Sequence, residues 1–112
     1  MDKQLQSVTD WLNENTNKAI RIKKEEQGDL DQVDLQLSQF EYREHQPDAI
    51  DDYTNGSALL LFGEGEVLNE GKKEALPENT FVIPLDGLNL AGVENEIVVL
   101  GTDRATYSLM LQ

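Results

Sequence analysis

The apolar positions of this chain change their spacing near residue 18, which divides it into a helical start and a long strand-rich remainder. At about 100° per residue, Met1, Leu5, Val8, Trp11 and Leu12 fall within one arc, with Lys3, Ser7, Asp10 and Glu14 opposite. That arrangement predicts an amphipathic helix over residues 3–17. Asp2 stands where an N-cap belongs. Asn13-Glu-Asn-Thr-Asn17 supplies the stop, because such side chains compete for backbone hydrogen bonds. A helix this short is marginal alone, so its apolar stripe must dock on another element.

Beyond the helix the period is two. Ile20 and Ile22 alternate with Arg21 and Lys23, then Val33, Leu35 and Leu37 alternate with Asp34 and Gln36, and Gln27-Gly28 lies between as a turn. A loop of those two residues fixes one register: Ile22 faces Val33, Ile20 faces Leu35, Arg21 faces Asp34 and Lys24 faces Asp31. Each such pair contributes roughly 0.2–1 kcal/mol, and a slip by one residue loses them together. Phe40 and Tyr42 are even-numbered where Val33, Leu35 and Leu37 are odd. The strand read over 30–45 therefore needs an extra residue near Ser38-Gln39, as a bulge or a crossing from one sheet layer to another.

Gln46 to Gly56 reads as a long polar loop closing on an Asn-Gly turn. The strand over 58–68 is broken by Gly63-Glu-Gly-Glu66, where the glycines mark a second bend or bulge. Asn69-Glu-Gly-Lys72 turns the chain. Pro77 and Pro84 bracket Phe81-Val-Ile83 in a strand over 80–85 and demote it to an edge or to a position where the missing N–H faces outward. Strands over 96–100 and 105–111 form a final hairpin around Gly101-Thr-Asp-Arg104. Its register stays open: a two-residue loop puts Val98 opposite Tyr107, and a three-residue loop puts Ile97 there. With a strand at 19–25, the expected architecture is α+β, one N-terminal helix packed on a curved antiparallel sheet of five to six strands. The bends allow that sheet to roll into a partly open barrel, and the chain of 112 residues is expected to be a single domain.

Charge sharpens the functional side of this reading. The formal net charge is −13, and ten carboxylates against one base fall between Glu25 and Asp52. Such a block repels nucleic acid, phosphate-rich cofactors and anionic lipid, and attracts cations or a basic protein. The absence of cysteine removes disulfides, thiolate metal sites and thiol nucleophiles. With no apolar run long enough to cross a bilayer, a cytoplasmic location is expected and a membrane is not among the expected partners.

The chemistry-bearing residues do not assemble into a catalytic signature. His45 is the one histidine, and Ser7, Ser38, Ser57 and Ser108 all lack the G-x-S-x-G setting of a hydrolase nucleophile. Gly63-Glu-Gly65 opens like a dinucleotide fingerprint, but its third glycine position is Leu68 and Glu64 and Glu66 would oppose phosphate. Asp29, Asp31 and Asp34, with Asp48, Asp51 and Asp52 downstream, invite a calcium or magnesium reading, yet the central glycine and terminal bidentate acid of the twelve-residue loop are missing. With 22 acids in the chain, some pair at glycosidase spacing arises in any fold and carries no information. Trp11 reads as core, and Lys72-Lys73 as edge-protecting charge.

These observations lead to a small acidic, non-enzymatic protein-binding domain whose surface steers association with a basic partner. The expected interaction surface is Asp29, Asp31, Asp34, Glu41, Glu44, Asp48, Asp51 and Asp52, with no cofactor, no metal site and no direct contact with nucleic acid. Two alternatives remain at this stage: a small-molecule-binding barrel or carboxylate-using enzyme, and an inhibitor whose acids imitate a nucleic-acid backbone. An internal cavity with converging polar groups favours the barrel, whereas a filled core with its acids outside favours the binding domain.

Overall fold

The structure is a computed structural model and describes residues 3–44, 57–69 and 71–112. It opens with helix α1 (Lys3–Glu14), whose stripe of Leu5, Val8, Trp11 and Leu12 is buried as its spacing predicts. The helix ends at Glu14, three residues short of the expected limit, because the stop residues bond back onto it. Asn15 Nδ2 donates to the Trp11 carbonyl at 2.8 Å and Thr16 Oγ1 to that of Leu12 at 2.9 Å. Asn17 then takes a left-handed conformation, φ 72°, and breaks the helix. The N-cap reading of Asp2 lies outside the described residues.

Among the described residues ten strands follow in two sheets, so the expected count of five to six is corrected, and these sheets are not joined into a closed barrel. They are β1 (Ala19–Glu26), β2 (Asp29–Gln36), β3 (Gln39–Arg43), β4 (Ala58–Phe62), β5 (Gly65–Asn69), β6 (Lys72–Ala75), β7 (Thr80–Pro84), β8 (Leu90–Glu94), β9 (Ile97–Gly101) and β10 (Thr106–Leu111). A seven-stranded sheet runs β6-β5-β2-β1-β10-β9-β8 and a three-stranded sheet runs β3-β4-β7, with neighbouring strands antiparallel throughout. The polypeptide is therefore an α+β fold.

The first hairpin has the register its residues dictate. Ile20 faces Leu35, Arg21 faces Asp34, Ile22 faces Val33 and Lys24 faces Asp31. Gln27 and Gly28 both have positive φ, 50° and 87°, the backbone a two-residue turn requires. The phase change after Leu37 is a crossing between sheets: β2 belongs to the larger sheet and β3 to the smaller. The break at Gly63–Glu66 is the same event in reverse, since β4 lies in the smaller sheet and β5 in the larger. The two crossings run side by side, joined by Gln36 N–H to the Glu64 carbonyl and Ser38 N–H to that of Phe62, both 2.8 Å. A Cβ on Gly63 would lie 1.9 Å from the Gln36 carbonyl oxygen, so this approach demands glycine.

The proline-bracketed strand β7 is an edge, as expected. Two strands have no counterpart in the sequence reading, β6 and β8, which form the two edges of the larger sheet. Both proposed registers for the last hairpin are corrected: Tyr107 faces Leu100, and the loop is the four residues 102–105. Thr102 organises that loop, its hydroxyl accepting from the N–H groups of Arg104 and Ala105, and Ala105 is buried beneath it.

One face of the larger sheet carries Ile20, Ile22, Val33, Leu35, Val98, Leu100, Tyr107 and Leu109, all buried with α1 and with Leu59, Leu61 and Ile83 of the smaller sheet. Burial holds the Tyr107 phenol above its ordinary pKa. The buried set among the described residues includes just two polar residues, Thr9 and Asn15. Neither is charged, and no buried side-chain nitrogen or oxygen lacks a partner.

Candidate functional site

Where the two crossings meet, the polypeptide leaves an open groove of about 650 Å³ on the side of the larger sheet away from α1. Three stretches distant in sequence build it. Asp34 comes from β2, Glu64 from the corner leading into β5, Glu66 from β5 itself and Lys73 from β6. Pairing of β2 with β5 sets Asp34 opposite Glu66, and pairing of β5 with β6 brings Lys73 alongside. A second hollow of about 410 Å³ continues from it past Gln36, Glu64 and Asn79.

Electrostatics within the groove are partly compensated. Arg21 Nε and Nη2 lie 2.9 and 3.3 Å from the two Asp34 oxygens, a bidentate pair, and Gln32 Nε2 adds a third bond at 3.3 Å. The Arg21 hydrogen bond is the main reason the Asp34 carboxyl is held below the usual range, against an opposing push from partial burial. A general acid needs the opposite shift. Lys73 Nζ stands 3.8 Å from Glu66. Glu64 makes no ion pair among the described residues and adds uncompensated negative charge at the rim, whereas Glu74, opposite Val67, projects on the other face of the sheet.

The residues expected to form the interaction surface do not share one face. Asp29 and Asp31 project on the core side of β2 beyond the last buried layer, while Asp34 projects on the other. Lys24 faces Asp31 in register, but its ammonium lies 3.4 Å from Glu26, and Asp31 instead accepts from Asn69. Glu41 sits on the outer face of the smaller sheet, 3.4 Å from Arg43, and Glu44 is exposed just past β3. Asp48, Asp51, Asp52, His45 and the Asn-Gly turn lie outside the described residues. Sequence reasoning missed Glu64 and Glu66 as companions of Asp34. Their nearness depends on β5 crossing to pair with β2, and the glycines at 63 and 65 are the only local signal of that crossing.

Trp11 is buried in the core, 6% exposed, and Lys72 and Lys73 occupy the edge strand β6. Among the described residues no three His, Asp or Glu side chains form a group suited to a metal ion, and no helix is long and apolar enough to cross a membrane.

Similarity to known proteins covers the chain end to end. The uncharacterized protein YmzB of Bacillus subtilis (strain 168) is 35% identical over 112 residues, spanning 94% of this chain and 92% of that one. No solved structure matches. A family model described as YmzB-like protein matches residues 1–112, and the chain accordingly belongs to the YmzB-like family.

Proposed function

We propose that this protein is a non-enzymatic protein-binding domain whose anionic surface draws in a basic partner, with the groove at the sheet crossing as part of that surface. The supporting observation is the partition of the molecule: the buried set is apolar apart from Thr9 and Asn15, and every described carboxylate is exposed or half-buried. Acids placed this way act through their field on an approaching molecule, since they stay in contact with solvent and none is enclosed in the core. Glu64 and Glu66 add to that field beside Asp34, whose own charge Arg21 offsets. Charge of one sign raises the association rate with an opposite partner more than it deepens the final affinity.

Chemical cross-linking in native extract, with the whole chain as bait at stepped salt, tests this reading. Recovered partners are expected to be basic, and capture is expected to fall as salt rises. Recovery of neutral or acidic partners alone, at yields indifferent to salt, contradicts it.

A further inference from the structure

The larger sheet ends on β8, and the hairpin that β8 makes with β9 fixes which way its main chain points. Asn95 and Glu96, both with positive φ, form a two-residue turn that closes on the pair Glu94 and Ile97. In such a hairpin the closing pair is hydrogen-bonded, so Leu90, Gly92 and Glu94 direct their N–H and C=O groups toward β9. Ala91 and Val93 direct theirs outward. Among the described residues no helix, loop or side chain bonds to them. Their half-buried side chains pack against the core, so this open edge is also continuous with the hydrophobic interior.

The other edges carry protection that β8 lacks. Strand β6 has four residues, two of them Lys72 and Lys73; β7 ends on Pro84; β3 alternates with Glu41 and Arg43. Strand β8 contains no proline and no base, and its one charge, Glu94, stands at its end.

We propose that β8 pairs antiparallel with β8 of a second copy of this chain, joining two seven-stranded sheets across a two-fold axis at Gly92. In that register each Ala91 opposes Val93 of the other copy, and the four outward N–H groups of the two edges make four intermolecular bonds. The neighbouring registers use fewer. Centring on Val93 sets Ala91 against the turn residue Asn95, and centring on Ala91 sets Val93 against Asn89, whose N–H is already bonded to the Gly101 carbonyl at 2.8 Å. Gly92 meets its own counterpart at a non-hydrogen-bonded position, where Cα atoms approach to about 4.5 Å. A single copy has no need of glycine there, because a Cβ at Gly92 meets nothing within 4 Å. Glu94 faces Leu90 of the second copy and not the other Glu94, and Leu90, 51% exposed in the single chain, gains cover. Charge of −13 on each copy opposes the encounter, so added salt strengthens this pairing, the reverse of its effect on a basic partner.

Sedimentation of the full chain from about 1 to about 100 µM, a span that brackets micromolar association, tests the pairing. The mass is expected to rise with concentration and salt toward twice 12.6 kDa. Gly92→Lys, tolerated by one copy but crowded and repelled at the axis, is expected to stay at 12.6 kDa with an unchanged thermal midpoint and circular dichroism. Ala91→Pro removes an outward N–H without touching the ladder to β9 and is expected to do the same. Amide exchange at Ala91 and Val93 should slow as wild-type concentration rises. A mass of 12.6 kDa across the whole range overturns the proposal. So does a dimer that survives both substitutions, or protection of these amides solely on binding a different protein.

Discussion

At the scale of single residues, the clearest feature is Asp34, a carboxylate held by Arg21 in a two-pronged contact at the floor of an acidic groove. Its folded pKa lies below the unfolded value, so its contribution to stability is complete above the ordinary aspartate pKa of about 3.9. That contribution is lost as pH falls through the lower folded value. Asp34→Asn should therefore flatten the acid limb of thermal midpoint against pH and leave the slope near pH 7 unchanged. An acid limb identical to wild type would show the pair contributes nothing. Glu96 is the converse case, a long side chain held at φ 64° by the β8–β9 turn. The left-handed region costs a residue with a Cβ roughly 1–2 kcal/mol. Glu96→Gly completes an Asn-Gly turn and should raise unfolding free energy by about 1 kcal/mol in urea titration.

At the scale of elements, legibility followed side-chain contrast. The β1–β2 register was readable because isoleucines and leucines alternate there with charges that match in sign across the turn. Strand β6 was not, because Lys72, Lys73, Glu74 and Ala75 are all exposed and show no alternation. Ala91 and Gly92 gave β8 too little apolar signal, and the last hairpin was misregistered because buried Ala105 looks like the start of a strand while it belongs to the loop. The groove was hidden for a related reason: the acidic block drew attention to residues 25–52, whereas the groove takes Asp34 from that block and Glu64 and Glu66 from beyond residue 60. The crossing that unites them rests on Gly63, so Gly63→Ala should lower stability by at least about 2 kcal/mol through clash and backbone strain. Gly92→Ala, with open space around it, should shift the single chain's stability by less than about 0.5 kcal/mol. Equal effects at the two glycines would remove the crossing from its central place in the fold.

At the scale of the whole molecule, an apolar interior and an anionic exterior divide the labour. The interior holds two sheets and a helix together, and the exterior determines what can approach. The proposed self-pairing at β8 and the proposed attraction of a basic partner at the groove involve different surfaces and opposite salt dependences, so the two are separable in one solution. The central claim is that exposed carboxylates speed encounter with an oppositely charged protein. Its most direct test is the association rate constant of the cross-linked partner with wild type and with the combined variant Glu64→Lys and Glu66→Lys, measured by stopped flow across ionic strength. The rate for wild type should fall at least about tenfold from low to high salt, and the variant should start slower and depend less on salt. Equal rates for both proteins, unchanged by salt, would contradict the account.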